Sequence, residues 1–246
     1  MVAPNGARRG QAEHPRLPIR TDEIVATAAA CYASGAQALH LHVRDAHGAH
    51  SLDAGRYRET LAELTLHVPR MRIQITTEAA GRFDVAAQLA CLRALRPAWA
   101  SVAVREIARA PQLARAVYAT CADNATEVQH ILYDAGDIAQ LRAWRAQGIV
   151  HASQRSVLCV LGRYRAGQTS SPEDLAPFLA ALPAATDWMV CAFGPREHEC
   201  LASAARQGAD VRVGFENSLC AANGTPHADN AASVAALIQT LRNSAP

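Results

Sequence analysis

Seven short apolar runs punctuate the chain, at residues 38–43, 71–76, 99–104, 128–133, 156–161, 188–193 and 211–215. Each is of strand length and rich in aliphatic or aromatic residues. Between them lie longer Ala/Leu/Arg stretches whose apolar positions recur at helical spacing. Ile24, Ala28 and Cys31 make one such face, and Tyr57, Leu61 and Leu64 another. Thr21-Asp22-Glu23, Ser51-Leu52-Asp53 and Ser171-Pro172-Glu173-Asp174 read as helix starts, with capping oxygens and acids placed against the dipole. Gly35, Gly148 and Gly208 stand where glycine ends a helix. A stub at residues 1–5 is the candidate eighth strand.

Strict alternation of strand and helix predicts a parallel sheet. Eight units in 246 residues favour a closed barrel over an open doubly wound sheet, and neither a GxGxxG nor a P-loop points to the open form. The expectation is an α/β fold, a (β/α)8 TIM barrel with a short first strand, forming a single domain over residues 1–246.

Composition narrows the function. Aromatic residues are only 5% of the chain, so aliphatics must build the core. All 24 basic residues are arginine, which excludes mechanisms built on a lysine Schiff base or a Walker-type lysine. A net charge of +2 without a basic run argues against a nucleic-acid partner. No apolar stretch reaches the roughly 18 residues of a membrane span, and the N-terminal residues lack a signal-peptide core. Seven cysteines without a CxxC pair lie mostly in apolar runs, as small hydrophobes do. A reduced, cytoplasmic protein is expected.

His40-Leu41-His42 places two imidazoles on one face of a strand. Leu41 and Val43 suit the helix side, which turns the histidines into the barrel near its C-terminal mouth. Such a pair can bind Zn2+ or a similar divalent cation; it can equally be two hydrogen-bonded structural histidines. Arg44-Asp45 follows, readable as a local ion pair or with Asp45 as an acceptor behind a ligand histidine. The other eight histidines have no comparable spacing. In residues 211–217, period two puts Arg212, Gly214 and Glu216 on one face and Val211, Val213 and Phe215 on the other. An inward Arg212–Glu216 pair can fill a barrel layer, but the cost of burying both charges tilts the reading toward function, with Glu216 as the missing carboxylate ligand.

His40-Leu41-His42-Val43-Arg44-Asp45 and Val211-Arg212-Val213-Gly214-Phe215-Glu216-Asn217 together resemble the β-keto acid cleavage enzyme family. The segments at residues 3–8, 14–19, 73–77 and 160–162, and Asn230, fit the same pattern, so the resemblance spans essentially the whole chain. It implies a (β/α)8 barrel holding a divalent metal, usually zinc, on His40, His42 and Glu216. It further implies condensation of a β-keto acid with acetyl-CoA to acetoacetate and a new acyl-CoA, by retro-Claisen cleavage. Arg212 would bind the substrate carboxylate, Thr76 and Ser101 would offer hydroxyl contacts, and the assembly would be a homo-oligomer, a tetramer.

The chain departs from the family pattern at informative places. Asn217 stands where the best-known member has a proton-abstracting Asp, and Ile131 where it has a supporting Glu. Arg8 replaces a Glu that recognises a substrate amino group, and Glu78-Ala79 replaces a Gly-Gly pair. Arg8 therefore suits an anionic or neutral β-keto acid. Turnover must then use another group, metal-bound hydroxide or a substrate that needs less help; among other groups Glu78, at the mouth end of its strand, is the first candidate and Glu106 the second, and either can instead be a solvated loop acid. Two other readings stay open: a metal-dependent lyase or hydrolase that needs no CoA, and a silent metal-binding homologue.

Overall fold

A computed structural model describes residues 1–183 and 186–243. In chain order the elements are α1 (Thr21–Ala33), β1 (Ala38–Leu41), β2 (Val43–Arg44), β3 (His50–Ser51), α2 (Ala54–His67), β4 (Arg72–Thr76), α3 (Val85–Leu95), β5 (Trp99–Ala103) and α4 (Val104–Ile107). They continue with α5 (Pro111–Asp123), β6 (Glu127–Leu132), α6 (Ala135–Ala146), β7 (Val157–Leu161), α7 (Ala176–Ala181), β8 (Trp188–Ala192), α8 (Glu197–Arg206), β9 (Asp210–Val211) and α9 (Asn230–Asn243).

Local chemistry accounts for the starts. Asp53 accepts from Arg56 N–H to begin α2, and Ser171 with Asp174 forms a capping box on the 3-10 turn (Pro172–Leu175) that leads into α7. α1 opens at Thr21, as expected, and the Glu23 carboxylate accepts from Ile19 and Arg20 N–H. Gly35, Gly148 and Gly208 follow α1, α6 and α8 in positive-φ conformations, as expected.

Seven strands form one parallel sheet in the order β1-β4-β5-β6-β7-β8-β9. Val2 joins its edges: it bridges Leu39 on one side and Val213 on the other. Its N–H donates to Ala38 O and its carbonyl accepts from His40 N–H, both at 2.8 Å, while Ala3 N–H donates to Val213 O at 2.8 Å. The eighth stave exists, but as one bridging residue rather than a strand over residues 1–5. The last strand is also shorter than the pattern predicts. It ends at Val211, with Val213 still bridging, because Gly214 takes φ +139° and turns the chain.

Apolar packing is divided in two. The main core lies between sheet and helices and contains Leu39, Leu41, Ile75, Val102 and Val190. A smaller cluster of Ala103, Ile131, Leu158, Val160, Met189, Cys191 and Phe193 fills one side of the barrel interior. The other side of the interior is polar, with His40, Gln74, Thr76, Ser101 and Gln129 buried there. No described helix is long and apolar enough to cross a membrane.

Candidate metal centre

Alternation along β1 sends Leu39 and Leu41 outward and His40 inward, opposite Gln74 of β4. Gln74 fixes the His40 tautomer. Its amide nitrogen donates to Gln129 Oε1 at 3.1 Å, so its own Oε1, 2.7 Å from His40 Nδ1, must be the acceptor of that N–H. The lone pair of His40 therefore sits on Nε2. Burial, aided by the nearby Arg212, holds the His40 pKa well below its ordinary value and keeps the ring neutral.

His42 Nε2 lies 3.1 Å from His40 Nε2, and Glu216 Oε2 lies 3.5 Å from the first and 3.7 Å from the second. All three ligand atoms fall within 4.8 Å of one another. Among the described residues no hydrogen-bond donor reaches Glu216 Oε2, although this oxygen is buried. Two imidazole nitrogens and a carboxylate oxygen converging with a lone pair to spare are the donor set of a divalent transition-metal site, so these residues fit the ion the family resemblance implies.

Glu216 reaches this point by a turn, not by continuing the strand face. A Cβ on Gly214 would lie 2.5 Å from Ala3 O, so only glycine permits the approach of the two backbones. Glu216 N–H then donates to the same carbonyl at 3.1 Å. Burial alone would raise the Glu216 pKa, but Arg212, His42 and His40 hold it well below the usual carboxylate range.

Arg212 is 2% exposed, and its Nη2 donates to Cys191 Sγ at 3.3 Å and meets Glu216 Oε1 at 3.4 Å. Among the described residues its Nε and Nη1 have no partner. A charge buried only to fill a layer would leave no such donors, since each costs about 1–3 kcal/mol unpaired. Burial alone would lower its pKa, yet Cys191 and Glu216 keep it above its ordinary value.

The remaining expected residues divide. Thr76 and Glu78 line the inner cavity with His40, Arg212 and Glu216. Ser101 does not line it; its hydroxyl lies 3.3 Å from Thr76 Oγ1. One Glu78 oxygen is paired with Arg8, and the other is 4.0 Å from His42 Nε2. Arg8, half exposed, lines the outer compartment of the mouth with Glu78. Asn217 is fully buried, with neither amide atom hydrogen-bonded among the described residues, and lines neither compartment. Glu106 also lies off both; it accepts from Ala79 N–H at 2.9 Å and Gln88 Nε2 at 2.8 Å, holding the backbone beside Glu78.

Arg44-Asp45 requires a correction. Arg44 donates to the carbonyls of Asn5, Gly6, Arg9 and Gly48, clamping the N-terminal loop, and Asp45 accepts from His47 and Ala49 N–H. Neither a local ion pair nor a bond from Asp45 to a ligand histidine forms. A groove of about 870 Å³ between α1 and α2 includes these two residues but none of the ligand triad.

Several residues escaped the sequence. His50 is buried against the His42 ring, 5.1 Å between centroids, and donates from Nε2 to Glu78 O at 2.8 Å. Tyr133, Arg163 and Phe193 line the inner cavity from the ends of β6, β7 and β8. Only Gln74 left a signal, through Ile73 and Ile75 alternating with Gln74 and Thr76.

The ligand triad, Thr76, Glu78, Tyr133, Arg163 and Phe193 lie near or beyond the C-terminal ends of strands of the main sheet, where barrel enzymes carry their sites. Fold and site thus define a TIM-barrel-like protein with a candidate divalent-metal centre at its mouth. Residues 1–245 match the beta-keto acid cleavage enzyme (BKACE) family, and the chain belongs to that family of enzymes. It is 24% identical over 237 residues to the 3-keto-5-aminohexanoate cleavage enzyme of Fusobacterium nucleatum, covering 87% of this chain and 80% of that one. A 106-residue stretch, 43% of this chain and 37% of the other, is 29% identical to a 3-oxoadipate:acetyl-CoA acetyltransferase of Cupriavidus necator. Among solved structures, apo ObcA superposes with a TM-score of 0.72 at 14% identity over 93% of this chain, which spans 62% of the ObcA chain. A type I 3-dehydroquinate dehydratase from Clostridium difficile superposes with a TM-score of 0.64 at 10% identity, covering 99% and 92% of the two chains. These likenesses carry the barrel fold.

Proposed function

We propose that the protein condenses a β-keto acid with acetyl-CoA, releasing acetoacetate and a new acyl-CoA. The observation that carries this reading is the convergence of His40, His42 and Glu216 beside Arg212, which lines the inner cavity with His40 and Glu216 and keeps two donors unpaired among the described residues. The family assignment and the acetyl-CoA named for one relative support it.

Arg212 takes the substrate carboxylate on the end-on edge of its planar fork, where the free Nη1 stands beside Nη2. A divalent ion on the triad, zinc in this proposal, would polarise the neighbouring keto oxygen as a Lewis acid. The carbon between the keto and carboxylate groups must lose a proton before it attacks the thioester, and Glu78 accepts it. Asn217 cannot, because an amide has no basic site at neutral pH. The attack expels CoA thiolate, which adds to the keto carbon; the bond between that carbon and its neighbour breaks, the acyl group leaves as the new acyl-CoA, and the released carbon takes the proton back from Glu78 as acetoacetate. Thr76 Oγ1 receives Glu78 N–H at 3.0 Å and so holds the base in place. Arg8, in place of a carboxylate, disfavours a substrate carrying an amino group. The proposal includes a cytoplasmic homo-oligomer.

An assay following acetyl-CoA consumption and acetoacetate release over a panel of β-keto acids, with zinc added, tests the reading. Arg212→Lys should raise KM for the best substrate at least about tenfold, because a point charge cannot reproduce the fork. Glu78→Gln should lower kcat about a hundredfold or more. Cleavage without acetyl-CoA consumption would favour a CoA-independent lyase, and unchanged kinetics in Arg212→Lys would make that arginine structural.

A further inference from the structure

Three arginines besides Arg212 line the mouth: Arg8, Arg9 and Arg163. Arg8 is paired with Glu78, and Arg9 donates to Phe215 O at 2.6 Å. Arg163 has neither an acidic partner nor a hydrogen bond among the described residues. Its guanidinium lies over the Phe193 ring, 5.0 Å from the centroid, and it is the arginine that lines both the inner cavity and the outer compartment.

Arg163 is also held in place. Its loop leaves β7 at Gly162, where a Cβ would lie 2.6 Å from Thr169 O, so the loop closes on itself. The loop then docks on the end of β8: a Cβ on Gly194 would lie 2.4 Å from Gln168 O, and Ser170 Oγ donates to Phe193 O at 2.8 Å. An unpaired cation on a fixed loop, with an aromatic ring beneath it, has its ordering cost already met before an anion arrives.

The charge balance indicates the sign of the missing partner. Four arginines (Arg8, Arg9, Arg163 and Arg212) line the two compartments against two acids, Glu78 and Glu216. A single substrate carboxylate on Arg212 leaves Arg163 unanswered. The inner cavity that both arginines line has an apolar part, formed by Ile131, Val160 and Phe193, a surface for a short methylene spacer.

We propose that Arg163, with Arg8, binds a second anionic group on the substrate, the far carboxylate of a 3-oxo dicarboxylic acid. This rests on the β-keto acid reading above and narrows it to a substrate class. A carboxylate reaching Arg8 competes with Glu78 for it and frees the Glu78 oxygen. The phosphates of CoA carry the same kind of charge, but they stand the whole length of the pantetheine arm away from the thioester. They cannot share the inner cavity with the reacting carbon.

Equilibrium binding by calorimetry, on protein with added zinc, tests the proposal with 3-oxo dicarboxylates against monocarboxylates of equal carbon number: 3-oxoadipate with 3-oxohexanoate, and 3-oxopimelate with 3-oxoheptanoate. The dicarboxylates should bind at least about tenfold tighter, the scale of one charge-assisted contact. Arg163→Met should bring the ratio close to one, and Arg163→Lys should keep part of it. Equal binding by the parent protein, or an undiminished ratio in Arg163→Met, overturns the proposal. So does a loss in Arg163→Met confined to acetyl-CoA, which would assign the residue to phosphate. Discrimination in binding with no acetyl-CoA consumption on any acid would sink the acyl-transfer reading and leave this subsite standing.

Discussion

Gln74 decides which nitrogen of His40 is free, and Gln129 decides which end of Gln74 faces His40. Outer residues of this kind commonly tune metal affinity by about 10–100-fold. Gln74→Leu should therefore weaken zinc binding by about that factor in a chelator competition, whereas Gln74→Glu, which keeps the acceptor, should stay near the parent. Equal affinity in Gln74→Leu would mean that His40 holds its tautomer unaided. Glu106 poses a different residue-scale question. Burial, only partly offset by the Ala79 and Gln88 bonds, pushes its pKa from 4.5 up to about 7. Through that window the folded protein binds more protons than the unfolded chain, so stability falls as pH rises, by on the order of 3 kcal/mol once complete. Glu106→Gln keeps both donors on one carbonyl oxygen and removes the titration. It should leave the protein more stable than the parent at pH 8 and much less so at pH 5, read from denaturation midpoints. The same difference at both values would show that Glu106 does not titrate there.

At the scale of elements, the histidine pair and the barrel were legible because both express plain periodicities. Alternation in β1 sorts His40 from its leucines, and strand–helix alternation sorts the whole sheet. The Arg212–Glu216 contact was anticipated for a partly mistaken reason, since period two was extended through a segment that Gly214 turns. The turn depends on Ala3, more than two hundred residues away in the chain, and no local pattern announces it. His50 and Arg163 were invisible for the same reason: His50, in the two-residue β3, and Arg163, in the loop after β7, are placed by packing against other strand ends. The Gly214 turn is open to test. Gly214→Ala puts a Cβ into the Ala3 carbonyl at φ +139° and should cost roughly 3 kcal/mol or more in denaturant unfolding. It should also weaken zinc binding, because Glu216 lies two residues on. A variant as stable as the parent would show that the seam relaxes freely.

On the scale of the whole molecule, the three ligands come from the two ends of the sheet. His40 and His42 belong to β1 and its exit, Glu216 follows β9, and only Val2 lies between those strands. A bound ion thus ties the edges together. At a hundredfold excess over its dissociation constant it should stabilise the protein by about 2.7 kcal/mol, a rise in Tm of roughly 5–10 °C that a chelator reverses. No change in Tm on chelation would separate the ion from the fold.

Val2 makes the sheet a hoop whose last link is a single residue wide. Such a hoop opens at that link first, and hydrogen exchange can watch it do so. Removing the ion should speed exchange of the Val2, Ala3 and His40 amides, which carry the closing bonds, while the amides of β5 and β6 stay protected. Opening there also parts Glu216 from the histidines. The metal-free protein is then a hoop in equilibrium with an unclasped band, and the ion has to capture it during a closed interval.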